Sequence, residues 1–194
     1  GIVLKQYAEL MEHADGTVAD ARCPEAVNLI ERYNEERNLS IQVADIEPIL
    51  IHCARELSAR ADLADGEKII TTPCRILAEQ GNALKLPHTR FVSWKDFLSE
   101  LGESLEPAPE ASPIPPGFFT GLSVPVVSLS GRENMEDYLE KRSRTSEGES
   151  EDRMMSETAG SQNTGAVIAD AGRKPLLLEL LYCPKGCHMG DGVR

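Results

Sequence analysis

The apolar run Leu176-Leu-Leu-Glu-Leu-Leu181 leads straight into Tyr182-Cys-Pro-Lys-Gly-Cys187, and this stretch constrains the fold more than any other. An apolar run without alternation suits a strand buried on both faces, as in parallel sheets covered by helices. Such a strand delivers Cys183 and Cys187 to a single turn in the interior. Pro184 stiffens that turn and has no N–H, and Gly186 lets the backbone approach whatever the sulfurs hold. Two thiols are half of a typical metal site, so the other half must come from elsewhere in the chain.

Two earlier segments offer it. A short strand from Thr17 to Ala21 runs into Arg22-Cys23-Pro24, and Pro24 suits the first turn of a helix whose apolar face carries Val27, Ile30 and Tyr33. The β-rich run Glu67 to Thr71 ends at Thr72-Pro73-Cys74, and a helix is expected over Arg75 to Gln80, stopped by Gly81. Both units read as strand, cysteine beside a proline, helix. A thiol at such a junction faces a helix N-terminus, where α/β folds place ligands and where the dipole favours the thiolate.

Between and around these units the pattern predicts further elements. Helices are expected over residues 2–13 and 46–59, with Pro48 in the first turn of the second, and a weak strand over Ser40 to Ala44. Phe91-Val92 reads as a strand. Ser93 and Asp96 form a capping-box start for a helix from Trp94 to Leu101, and Ser130 with Glu133 a second one for a helix through Leu139. Residues 102–117 read as an extended connection. Val124 to Leu129 reads as a strand at an edge, since it contains Pro125. The fold class that follows is α/β: two small lobes of βα units with mainly parallel sheets and a metal site between the lobes. Residues 1–142 would form the main domain, 143–172 a flexible low-complexity insertion, and 173–194 a C-terminal strand and CxxxC turn completing the same domain.

The formal net charge of −12 argues against binding nucleic acid through its phosphates. No apolar run reaches the roughly 20 residues that span a bilayer. The opening Gly1-Ile-Val-Leu lacks a methionine and reads as the start of a fragment or processed product. Five widely spaced cysteines do not resemble a secreted disulfide scaffold, so a cytoplasmic setting is expected.

Four thiols on strand ends, Cys23, Cys74, Cys183 and Cys187, suit an iron–sulfur cluster or zinc; unrelated core or redox cysteines are the third reading. Cys53, within a helical pattern, reads as a small core residue. His13 and His88 read as surface, His52 as surface or packing, and Trp94 as packing. His188 either donates to a cluster sulfur or faces solvent, while Arg22 and Lys185 either offset cluster charge or lie on the surface.

Several segments, in order, also resemble the catalytic (H-cluster) domain of [FeFe]-hydrogenase large subunits. Arg22-Cys-Pro-Glu-Ala-Val-Asn-Leu-Ile-Glu-Arg-Tyr33 resembles its first cluster motif, and Glu47-Pro-Ile-Leu-Ile-His52 the Ser-Pro-Met helix that follows. Ile69-Ile-Thr-Thr-Pro-Cys74 resembles the second motif, Phe91-Val-Ser-Trp-Lys-Asp-Phe-Leu98 a Leu-Thr-x-x-Glu-Leu element, and Glu179-Leu-Leu-Tyr-Cys-Pro-Lys-Gly-Cys187 the third motif, Cys-Pro-Gly-Gly-Cys. The resemblance implies that Cys23, Cys74, Cys183 and Cys187 hold a [4Fe–4S] cluster, in catalytic members bridged from the last cysteine to a di-iron subsite. It also implies electron transfer or redox sensing with a redox partner protein, or with an upstream ferredoxin-like or sensory domain. The chain departs from catalytic members in having Arg22 where they have a proton-relay cysteine, Leu77 where they have a lysine, and Thr72 where they have a methionine. Pro113-Ile-Pro-Pro-Gly117 resembles the shorter, sensory-type members. Hydrogen conversion is therefore the alternative function, and a metal-stabilised interaction domain without turnover the second.

Overall fold

The structure, a computed structural model, describes residues 1–104, 117–146 and 175–194. The expected connection at 102–117 and the insertion at 143–172 fall mostly outside the described residues. Residues 143–146 continue a helix.

The main sheet has four strands, all parallel, in the order β2-β1-β6-β5: β1 is Thr17–Ala19, β2 Gln42–Val43, β5 Val126–Ser130 and β6 Leu176–Leu181. A second sheet pairs β3 (Lys68–Thr72) with β4 (Thr89–Ser93), also in parallel. The helices are α1 (Ile2–His13), α2 (Pro24–Arg37), α3 (Ile49–Ala59), α4 (Arg75–Ala83), α5 (Trp94–Glu100) and α6 (Arg132–Ser146). The α/β class with parallel βα units is as the sequence predicts.

The apolar tail strand β6 is central in its sheet, flanked by β1 and β5, so its backbone is paired on both edges. Its side chains serve two cores. Leu178 and Leu180 join Leu29, Ile30, Met135 and Leu139 from α2 and α6. Leu177 joins Val3, Tyr7 and Met11 of α1, with Phe119, in the second core. Covering both faces of a parallel sheet accounts for the run's lack of alternation. β5 lies at the edge, where Pro125 immediately before it costs little. The smaller sheet has its own core, in which Ile51 and Ala54 of α3 meet Ile70, Leu77, Ala78 and Phe91.

Several local expectations are corrected. Gly81 does not stop α4 but lies inside it: a Cβ there would stand 2.3 Å from the Phe91 ring, so the glycine lets helix and strand close up. Cys53 is exposed rather than in the core. The face of α3 that packs is set by Ile51 and Ala54, and residue 53 points away from it. Pro48 precedes α3 as its N-cap, not within its first turn. Ser130 ends β5, and Gly131, with φ +91°, opens α6 by accepting the Met135 N–H. The cap at Ser93 forms as expected: its hydroxyl accepts the Asp96 N–H at 3.1 Å. No helix among the described residues is long and apolar enough to cross a membrane.

Candidate metal centre

Each of the four cysteines occupies a junction that the local sequence builds. Cys23 is the N-cap of α2, held extended at φ −112° by Pro24 behind it, and its carbonyl accepts the Val27 N–H. Its sulfur accepts backbone N–H groups from Tyr182, Ala26 and Glu25, so the end of β6 and the first turn of α2 both point donors at it. Cys74 is the N-cap of α4, and the Leu77 N–H reaches its sulfur. The Thr72 hydroxyl, almost fully buried, donates to the Cys74 carbonyl at 2.7 Å and fixes the turn.

Cys183 and Cys187 follow β6. The Gly186 N–H donates to the Cys183 carbonyl at 3.1 Å, with proline second and Lys185 third at φ +63°, the residue pattern of a type II turn. Glycine takes the third position of such a turn without strain, and there the resembling motif has glycine where this chain has Lys185. A single 3-10 turn, Cys187–Met189, then redirects the chain.

The last residues cross to the smaller lobe. Gly192 N–H donates to the Pro73 carbonyl at 3.2 Å, Lys95 N–H donates to the Gly192 carbonyl at 2.7 Å, and Asp191 accepts the Arg75 N–H at the start of α4 at 3.2 Å. Backbone meets backbone so closely that a Cβ on Gly190 would lie 2.3 Å from the Pro73 oxygen. One on Gly192 would lie 2.8 Å from the Cys74 nitrogen. The tail therefore carries Cys183 and Cys187 on the large sheet and fastens onto the strand end that bears Cys74.

The thiols act on one another. Burial, then repulsion from Cys23, Cys187, Cys74 and Asp191, pushes Cys183 up to about 12. Burial, partly offset by the Leu77 N–H and reinforced by Cys23, Cys187 and Asp191, pushes Cys74 up to about 11. Cys23 and Cys187 are raised too, with desolvation the largest cause at each, although Cys187 as a whole residue is exposed. The N–H groups at the two helix starts favour the thiolates of Cys23 and Cys74, but desolvation outweighs them. The expectation of two interior thiols also changes, since Cys183 is half-buried and Cys187 exposed.

Four thiolates are the kind of donor set that soft, positively charged metal centres take. Four sulfurs that crowd each other as anions are relieved when cations lie among them, and a positive group replaces the protons that burial retains. His188, directly after Cys187, has both ring nitrogens buried and without a hydrogen-bond partner among the described residues, so the solvent-facing reading does not hold. Among the described residues no three His, Cys, Asp or Glu side chains gather around one metal ion.

The sequence missed the partners of Arg22. Arg22 is not a surface cation: it is held between Asp20 at 2.7 Å and Glu179 at 2.9 Å, with the rings of Phe118 and Phe119 each 4.5 Å from its guanidinium. A glutamate inside an otherwise apolar strand was the signal that an internal cation must meet it. Lys185, by contrast, is exposed, and so are His13 and His88. Trp94 packs near Phe97, their ring centroids 6.2 Å apart.

No protein-family model, curated protein or solved structure matches the chain.

Proposed function

We propose that this protein binds one [4Fe–4S] cluster through Cys23, Cys74, Cys183 and Cys187 and serves in electron transfer or redox sensing. The reading rests on the placement of Cys23 and Cys74 as helix N-caps at two strand ends, with the tail that carries Cys183 and Cys187 hydrogen-bonded to Pro73 beside Cys74. The ordered resemblance to the iron-hydrogenase H-cluster domain supports the same four ligands. The cluster supplies one-electron chemistry when bound. The chain's own residues do the rest. N–H groups of Tyr182, Ala26 and Glu25 stabilise the Cys23 sulfur as an anion, and that of Leu77 does so for Cys74. The Gly190–Gly192 tail holds the two lobes in register around the ligands.

Two positions favour electron handling over hydrogen conversion. Arg22, where the resembling catalytic domains have a relay thiol, is locked in ion pairs and carries no exchangeable thiol proton. Leu77, where they have a lysine, is packed in the core of the smaller lobe and offers no cation to an anionic ligand.

Anaerobic reconstitution with iron and sulfide tests the proposal. It should give about four irons per chain with the broad brown absorption of a cluster. Serine at position 23, 74, 183 or 187 should each lower the iron content sharply, and Cys53→Ser should not. A colourless protein holding one zinc, or Cys74→Ser with undiminished iron, would sink the assignment.

A further inference from the structure

The smaller sheet has two edges, and they are finished differently. The Lys68 N–H donates to the His88 carbonyl at 2.7 Å, which fixes the alternation of the ladder. Lys68, Ile70 and Thr72 turn their backbone groups toward β4, and Ile69 and Thr71 turn theirs outward. On β4 the outward groups include those of Thr89 and Phe91. The Thr89 N–H donates to the Leu86 carbonyl at 3.3 Å. The Asn82 side chain takes both Phe91 groups, accepting the N–H and donating to the carbonyl at 2.8 Å each. That amide stands where a neighbouring strand would, and it bars one from adding. Nothing comparable covers β3. The Pro73 carbonyl beyond its end accepts Gly192, but the N–H and C=O groups of Ile69 and Thr71 have no partner among the described residues. Lys68 does not guard the edge, because it is buried and donates to the Leu63 and Gly66 carbonyls. The open edge is also apolar. Ile69 is 39% exposed and Leu101 60%, two of the three exposed large apolar side chains among the described residues. Arg90, the ladder neighbour of Ile69, binds Glu100 at 2.7 and 3.0 Å and so brings the end of α5, with Leu101, to the face that carries Ile69.

We propose that β3 is a self-association edge, which pairs antiparallel with β3 of a second copy of this chain. In the register centred on Ile70, Ile69 of each copy exchanges both backbone hydrogen bonds with Thr71 of the other, and every group left open on the edge is closed. The Ile69 side chain then lies against Thr71 of the second copy, a β-branched cross-strand pair. Charge selects this direction. Exposed Asp65 and Glu67 precede the strand and exposed Arg75 follows it, so the antiparallel register sets the acidic end of one copy beside the basic end of the other. Parallel pairing would set Glu67 against its own counterpart. The net charge of −12 repels copies that meet at random, and a matched edge is what overcomes it. The contact is isologous, and Asn82 blocks the far edge of each sheet, so assembly stops at a dimer. The shared edge is short, which makes the dimer weak and dependent on concentration. None of this depends on the cluster reading.

Sedimentation of the full chain from about 1 µM to about 1 mM tests the proposal. The solution is kept reducing so that the exposed Cys53 does not crosslink copies. The sedimentation coefficient should rise toward that of a dimer, and amide exchange at Ile69 and Thr71 should slow as it does. Thr71→Pro removes an outward N–H and leaves the ladder to β4 intact. With one donor lost on each copy, it should weaken the dimer about thirtyfold. Ile69→Lys, a change at an exposed side chain, should weaken it at least about tenfold with the urea midpoint unmoved. Ile2→Lys, at an exposed apolar residue of α1, should leave the dimer as it is. A chain that stays monomeric throughout overturns the proposal and would leave the edge to a strand from another protein. A dimer that survives both β3 variants, or is lost in Ile2→Lys alone, overturns it as well. If neither β3 variant folds, exchange in the wild-type chain decides: a dimer that leaves Ile69 and Thr71 unprotected refutes the edge.

Discussion

Replacing Gly192 with alanine should uncouple the two halves of the proposed ligand set. The added Cβ would stand 2.8 Å from the Cys74 nitrogen and the Pro73 carbonyl carbon, and 2.9 Å from the Cys74 Cα. All three are backbone atoms at a helix N-cap, so no rotamer change relieves the clash and the tail must lift. Lifting breaks the Gly192–Pro73 and Lys95–Gly192 backbone bonds. At about 1 kcal/mol net for each hydrogen bond, the docked tail loses about 2 kcal/mol. That is a roughly thirtyfold fall in the docking equilibrium, at 1.4 kcal/mol per factor of ten. The loss is local, because β6 remains paired on both edges, so the urea midpoint should fall modestly. Amide exchange at Gly192 and Lys95 should accelerate by about the thirtyfold given by those two bonds. Iron content after desalting should drop, because Cys74 and Cys187 no longer share a site. Gly121→Ala is the control, since a Cβ there meets nothing within 4 Å. Gly192→Ala with the exchange rates and iron retention of Gly121→Ala would refute the docking argument.

Three further outcomes are expected. In the metal-free protein Cys74 and Cys183 are raised from 9.0 to about 11 and about 12, so the folded state binds those protons more tightly than the unfolded one. Their contribution is fully present below about pH 9 and is lost as pH rises toward 12, which thermal melts of the metal-free chain across that window would follow; loading with metal requires the thiolates, so apparent iron affinity should climb with pH below that window. Gly81→Ala should cost about 1–3 kcal/mol in urea denaturation by forcing Phe91 out of its packing, with cluster content unchanged in the fraction that folds.

The repetition of strand, cysteine and helix was legible because each unit is local. Pro24 and Pro73 mark the junctions, and hydrophobic spacing gives the helices that follow. The burial of β6 on both faces was legible too, since so uniformly apolar a run suits a strand covered on both faces; its place between β1 and β5 was not. Gly81 was misread because its role depends on Phe91, ten residues away and on another element. Periodicity also placed Cys53 inside a helix without saying which arc would be buried; α3 packs through Ile51 and Ala54. Arg22 is the largest miss. A lone arginine beside a cysteine has no local signature of burial, and its partners Glu179 and Phe118 are distant in sequence. The docking of Gly190–Gly192 on Pro73 was invisible for a similar reason, because it is made by backbone rather than by side-chain pattern.

The order of strands in the main sheet bears on how the molecule comes to exist during synthesis. β6 is made after β1, β2 and β5, yet it is the strand that joins β1 to β5. Until it arrives, β5 has no partner in that sheet, and the apolar faces of α1, α2 and α6 have no common floor. The pairing of Thr17 with Leu176 spans most of the chain and is slow to form for that reason. The same late segment brings Cys183 and Cys187. A nascent chain therefore cannot bring its four N-cap and turn cysteines to their native places before its core closes.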